Sequence, residues 1–166
     1  MVVLLANRTN LQAKRLHDRI GTRLEAICID VRRRRATPRE PGSYRVVGEV
    51  DPRGYLNDDA YPTDTARIEI GFQLRPGESR EFYWCNWIEP ERSLLVGWHQ
   101  DDIHADLGPV HLQVNDGSTA VDHRAAEFID SHPLAVVSRR LAAFAGVVEG
   151  VEWVDGRPVG LKEYEG

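Results

Sequence analysis

LLVGWHQDDIHADLGPVHLQVN, residues 94–115, decides how this chain folds. Leu94, Val96 and Trp98 fall at every second position of one run, and Val110, Leu112 and Val114 do the same in another. A period of two places alternate side chains on opposite faces of a strand, so the stretch reads as two β-strands joined by an acidic loop. Setting Trp98 opposite Leu112 and Val96 opposite Val114 makes the apolar faces coincide. A slip of one residue would turn one strand inside out. In this register His99 stands directly opposite His111 on the other, solvated face, with Cβ atoms ~4.5–5.5 Å apart. The loop between them carries Asp101, Asp102, His104 and Asp106.

Further strands precede this hairpin. Tyr44–Val50 is rich in β-branched residues. In Ala66–Leu74, Ile68, Ile70, Phe72 and Leu74 alternate with Arg67, Glu69, Gly71 and Gln73. Glu81–Ile88 is aromatic on both faces, as expected of a central strand. Turns are expected at 75–79, 89–93 and 115–118, and a long loop at 51–64. Leu16, Ile20, Leu24 and Ile27 form one stripe of a helix over 10–28. Residues 32–43, RRRRATPREPGS, combine like charge with prolines and read as a flexible linker. Asp122 is an N-cap signal for a helix carrying His123 in its first turn. Ser131-His132-Pro133 starts another, with Leu134, Val137, Leu141 and Phe144 as its buried stripe. Asp155-Gly156 signals a closing hairpin. The order predicts an α+β fold: one domain over 1–166, an antiparallel β-meander of about five strands covered by an N-terminal helix and C-terminal helices.

Composition narrows the function classes. A chain of 166 residues buries roughly 70% of its unfolded surface, enough for a core without staples. Cys28 and Cys85 are too few for a disulfide scaffold or an all-cysteine zinc site. No apolar run approaches the ~20 residues of a membrane span, and the start lacks a signal-peptide pattern, so a cytoplasmic location is expected. Net charge is -5, which disfavours a wholly basic nucleic-acid binder, yet residues 8–39 are strongly basic. Arg32, Arg33, Arg34 and Arg35 are the candidate polyanion-binding residues. GxGxxG, P-loop, GxSxG, CxxC and HExxH patterns are all absent.

Two chemistries would use the hairpin. His99, Asp101, His104 and His111 are the ligand types of a divalent metal such as zinc, manganese or iron, which can activate water. Alternatively, His99 and His111, with Asp102, could serve without metal as acid and base across a phosphodiester, because imidazole titrates near neutrality. A solvated hairpin with a polar loop is the competing reading. The remaining histidines are expected to be bland: His17 exposed on the basic helix, His123 packing or surface, and His132 at a helix junction. Cys28 and Cys85 are expected to be inert, and Trp84, Trp87 and Trp98 to belong mainly to the core, with stacking on nucleic-acid bases as their alternative role.

The succession of an alternating strand (66–74), an aromatic strand (81–88), Trp98-His99-Gln100-Asp101-Asp102-Ile103-His104, Pro109-Val110-His111 and a closing helix resembles the TumE-like proteins of prokaryotic toxin–antitoxin pairs. The resemblance spans about residues 66–145. It implies a compact α+β domain with RNA or a cognate antitoxin as partner. The expected activity is then hydrolysis of RNA phosphodiesters at the His/Asp site. A non-catalytic protein-binding module and a homodimer formed through an edge strand are the alternatives.

Overall fold

The computed structural model describes residues 2–35, 44–74 and 82–163. Helix α1 (Val2–Glu25) is followed by strands β1 (Asp30–Arg35) and β2 (Tyr44–Val50), a short helix α2 (Pro52–Leu56), and strands β3 (Ala66–Gln73) and β4 (Phe82–Glu89). Strands β5 (Leu94–Gln100), β6 (Val110–Asp116) and β7 (Thr119–Ala125) come next. Helix α3 (Pro133–Glu149) and a separate hairpin of β8 (Val151–Val154) and β9 (Arg157–Leu161) complete the chain. β1 to β7 form one sheet in sequence order, every pair antiparallel. The fold class is therefore α+β, with a longer meander than the five strands expected.

One face of the sheet is the core. Val46, Ile68, Ile70, Phe72, Trp87, Val96 and Val114 point into it and are almost wholly buried. α1 covers part of this face with Ile20 and Leu24, and α3 covers another part with Val137, Phe144 and Val147. Phe144 packs between Trp87 and Trp98, with ring centroids 6.0 and 5.3 Å away. Arg140 anchors α3 to the sheet: its guanidinium donates to the Tyr83 hydroxyl and the Glu127 carbonyl and stacks over Trp98. Among the described residues no helix is long and apolar enough to cross a membrane.

Four expectations change. Residues 32–35 are not linker but strand β1, paired with Tyr44–Val47 of β2; residues 36–43 and the turn at 75–79 lie outside the described residues. The sheet edge explains why four arginines can form a strand. Arg33 is taken up by Asp18 of α1 at 3.0 Å, while Arg32 pairs with Asp30 at 2.6 Å, and charged side chains on an edge also deter edge-to-edge association. The loop at 51–64 contains α2, begun by the Asp51 carboxylate accepting from the Arg53 amide and by Pro52 in the first turn. The segment from Asp122 is not a helix: residues 119–125 are β7, paired with β6. His17 is not exposed but buried, because its Nε2 accepts the Phe72 backbone amide of β3 at 3.0 Å while Nδ1 donates to the Ala13 carbonyl at 2.6 Å.

Candidate metal centre

The outer face of the sheet, opposite the helices, positions the histidines. The pairing registers place Gly71, Trp84, His99, His111 and Ala125 in one row across β3 to β7. The neighbouring row is Glu69, Asn86, Gly97, Gln113 and His123. His99 pairs with His111, Trp98 with Leu112 and Val96 with Val114, as the patterning of residues 94–115 predicts. Gly97 is needed for this layout, because a Cβ there would collide with the Asn86 side chain and the Cys85 carbonyl.

Four imidazoles gather over this point. His111 lies 5.4 Å from His99, 4.7 Å from His104 and 5.6 Å from His123, centroid to centroid, and His104 lies 4.2 Å from His123. His104, His111 and His123 bring one ligating atom each within 4.8 Å of one another, and so do His99, Asp101 and His111. His111 belongs to both sets. It is only 1% exposed, so the wet surface expected around it is corrected: the rings of His104 and His123 contact it from the loop and from β7. Its Nδ1 is wholly buried without a hydrogen-bond partner, 4.0 Å from Asp101 Oδ1. Buried polar atoms are almost always satisfied, so an orphan aimed among potential ligands points to a group that completes it.

Outer-shell amides orient two of the rings. Asn86 Oδ1 accepts from His99 Nε2 at 2.9 Å, which leaves His99 Nδ1 with a lone pair. Gln113 donates through Nε2 to Asn115 Oδ1 at 2.8 Å, so its Oε1 accepts from His123 Nε2 at 3.1 Å. Metal-binding histidines are commonly fixed in this way by an acceptor on the far nitrogen.

The electrostatics favour neutral rings. Burial pushes His99 down from 6.5 to about 4, with His111 adding to the shift and Asp101 opposing it. Burial also lowers His111, again against Asp101, and lowers His123 with His104 contributing. Neutral imidazole is the form that ligates a metal. The acid–base pairing of His99 with His111 fares less well, since a general acid must be protonated near working pH.

A pH dependence follows for the metal-free protein. His99 titrates lower when folded than when unfolded, so between pH 6.5 and 4 the unfolded chain binds more protons. Its contribution to stability is complete above pH 6.5 and falls as pH drops toward 4, by about 3 kcal/mol from this group. His17, also lowered by burial, acts in the same direction. Urea unfolding in a chelator at pH 7.5 and 4.5 should show this loss, and His99→Gln should reduce it. An unchanged midpoint would refute the assignment.

The other predicted residues separate. Asp102 is exposed and lines a cleft beside the cluster, outside both ligating sets. Arg32 and Arg33 are engaged in the ion pairs described above, and Arg34 borders a groove that also contains Glu49 and Glu69. Arg35 lies on β1 opposite Tyr44. His123 is the site residue that sequence reasoning missed. Cys85 is buried and its thiol is pushed up by burial, as expected of an inert cysteine. Trp87 and Trp98 are core residues, whereas Trp84 is half-buried on the outer face. No family model, curated protein or solved structure matches the chain.

Proposed function

We propose that this protein binds a divalent transition metal at the histidine cluster and uses it to hydrolyse phosphodiester bonds. The observation that carries this reading is His111: a buried imidazole with an orphaned Nδ1, shared by two possible ligand sets. Three imidazoles, or two with a carboxylate, form a donor set suited to zinc and to neighbouring first-row ions. Three protein ligands leave a coordination position for water or substrate. When bound, such an ion supplies a Lewis acid and a water ionised near neutral pH. The chain's own part is to hold neutral rings, fix their tautomers through Asn86 and Gln113, and keep the central ligand away from solvent.

RNA as the substrate class, and a cognate antitoxin as protein partner, are what the TumE-like resemblance implies. The arginines of β1 are a weaker support, since Arg32 and Arg33 already have carboxylate partners. The test is titration of chelator-treated protein with Zn2+ and Mn2+, followed by assay on bis(p-nitrophenyl) phosphate and single-stranded RNA. Stoichiometric binding with metal-dependent cleavage supports the reading. Binding without cleavage removes the hydrolase, and no binding removes the centre.

A further inference from the structure

From the cleft beside the cluster we infer that the ligand of this centre is a nucleotide whose base stacks on Trp84 while its phosphate meets the metal. The inference rests on the proposed metal centre and adds the class of group held next to it. The cleft has a volume of about 360 Å³, and its lining mixes the apolar Phe82, Trp84 and Ile103 with the polar Gln73, His99, Gln100, Asp101 and Asp102. That size and mixed lining are typical of small-molecule sites.

Trp84 is arranged as a platform. It pairs with Gly71 on β3, and a Cβ at Gly71 would collide with Cζ2, Cη2 and Cε2 of the indole. Three adjacent ring atoms over one backbone position mean that the six-membered ring lies flat on the sheet there. One ring face is therefore spent on Gly71, and Trp84 also lines the cleft. Glycine at 71 permits this flat placement. An aromatic face of this kind stacks any nucleobase.

Spacing and charge set the orientation. From Gly71 on β3 to His99 on β5 is two strand spacings, ~10 Å, the scale of one mononucleotide. Asp101 and Asp102 repel a phosphate in the metal-free protein, and a divalent ion at His99, Asp101 and His111 reverses that. A neutral nucleoside, by contrast, needs only the platform. The two halves of the ligand thus depend on different features of the site.

Calorimetry on the full chain with adenosine, AMP and ribose 5-phosphate, each with and without Zn2+, tests this. Zn2+ binding is measured first, so failure of the centre is recognised separately. With Zn2+ bound, AMP should bind about 10- to 100-fold more tightly than ribose 5-phosphate, the range of one base–aromatic stack. Adenosine should bind equally with and without Zn2+, and AMP should bind more tightly with it than without. Trp84→Leu should erase the AMP advantage while leaving Zn2+ binding and ribose 5-phosphate unchanged, and Trp84→Phe should retain part of it. If wild-type protein binds Zn2+ but treats AMP and ribose 5-phosphate alike, the inference is overturned. An undiminished AMP advantage in Trp84→Leu overturns it equally.

Discussion

Replacing His111 by leucine should abolish tight metal binding and at the same time leave the metal-free protein as stable as before, or more so. The two effects have one cause. His111 is buried with an unpartnered Nδ1, and an unsatisfied buried polar atom costs about 1–3 kcal/mol. Leucine is close in size and has no polar atom, so the metal-free variant loses that cost, offset by any misfit of shape and by the lost interaction with Gln113. Metal affinity should fall by more than ~100-fold, since even outer-shell changes cost 10–100-fold. In wild-type protein, free Zn2+ at about a hundred times its dissociation constant raises stability by about 2.7 kcal/mol. In the variant that increment should vanish. Calorimetric unfolding of both proteins in chelator and in Zn2+ gives all four values. A variant strongly destabilised without metal would show that His111 is a satisfied core residue. A variant still stabilised by Zn2+ would place the ion elsewhere.

The part of this centre readable from sequence is the part fixed by strand alternation. The apolar faces of Leu94–Trp98 and Val110–Val114 admit one register, and that register puts His99 opposite His111. His104 and Asp101 were within reach because they occupy the connecting loop. His123 was not, because Asp122 followed by Ala125 and Ala126 has the composition of a helix start, and that local preference obscured the strand. The hairpin signal was nevertheless present. The turn at Gly117, with φ 59°, returns the chain beside β6, and a strand is the natural continuation of a tight turn. Tertiary pairing outweighs propensity there, and it carries His123 to within 5.6 Å of His111.

The same competition explains β1. A run of four arginines suggests self-repulsion and solvation, but in a strand successive side chains alternate, so Arg32 and Arg34 take one face and Arg33 the other. The repulsion is then divided, and Asp30 and Asp18 neutralise one member on each face. Nothing local in residues 32–35 reveals Asp18, which arrives on a helix. The burial of His17 was hidden likewise, since the amide it satisfies belongs to Phe72, far along the chain. Long-range satisfaction of polar groups, rather than apolar pattern, is the information a single sequence withholds.

Glu89→Ala should be the most destabilising single change outside the apolar core, by about 3–5 kcal/mol, the usual cost of removing one partner from a buried ion pair. The turn expected at 89–93 would leave this carboxylate in water. Instead β4 continues through it, and Glu89 points into the core face with 0% exposure. Its Oε1 accepts from the Tyr61 hydroxyl at 2.5 Å and from Trp87 Nε1 at 2.8 Å, and its Oε2 accepts from Arg92 at 2.9 Å. Arg92 in turn stacks 3.6 Å above the ring of Trp153 in β8. One carboxylate therefore joins the end of β4, the loop before β3 and the C-terminal hairpin. Alanine would strand three donors at once, whereas Glu89→Gln keeps an acceptor for Tyr61 and Trp87 and fails only Arg92. The glutamine variant should accordingly lose about 1–3 kcal/mol. Total stability for a domain is typically only about 5–15 kcal/mol, so the alanine variant should lose a large fraction of it. Urea denaturation with an unchanged slope would measure both. Equal losses for alanine and glutamine would locate the whole effect in the contact with Arg92, and a loss below about 1 kcal/mol for alanine would show that the network carries little of the fold.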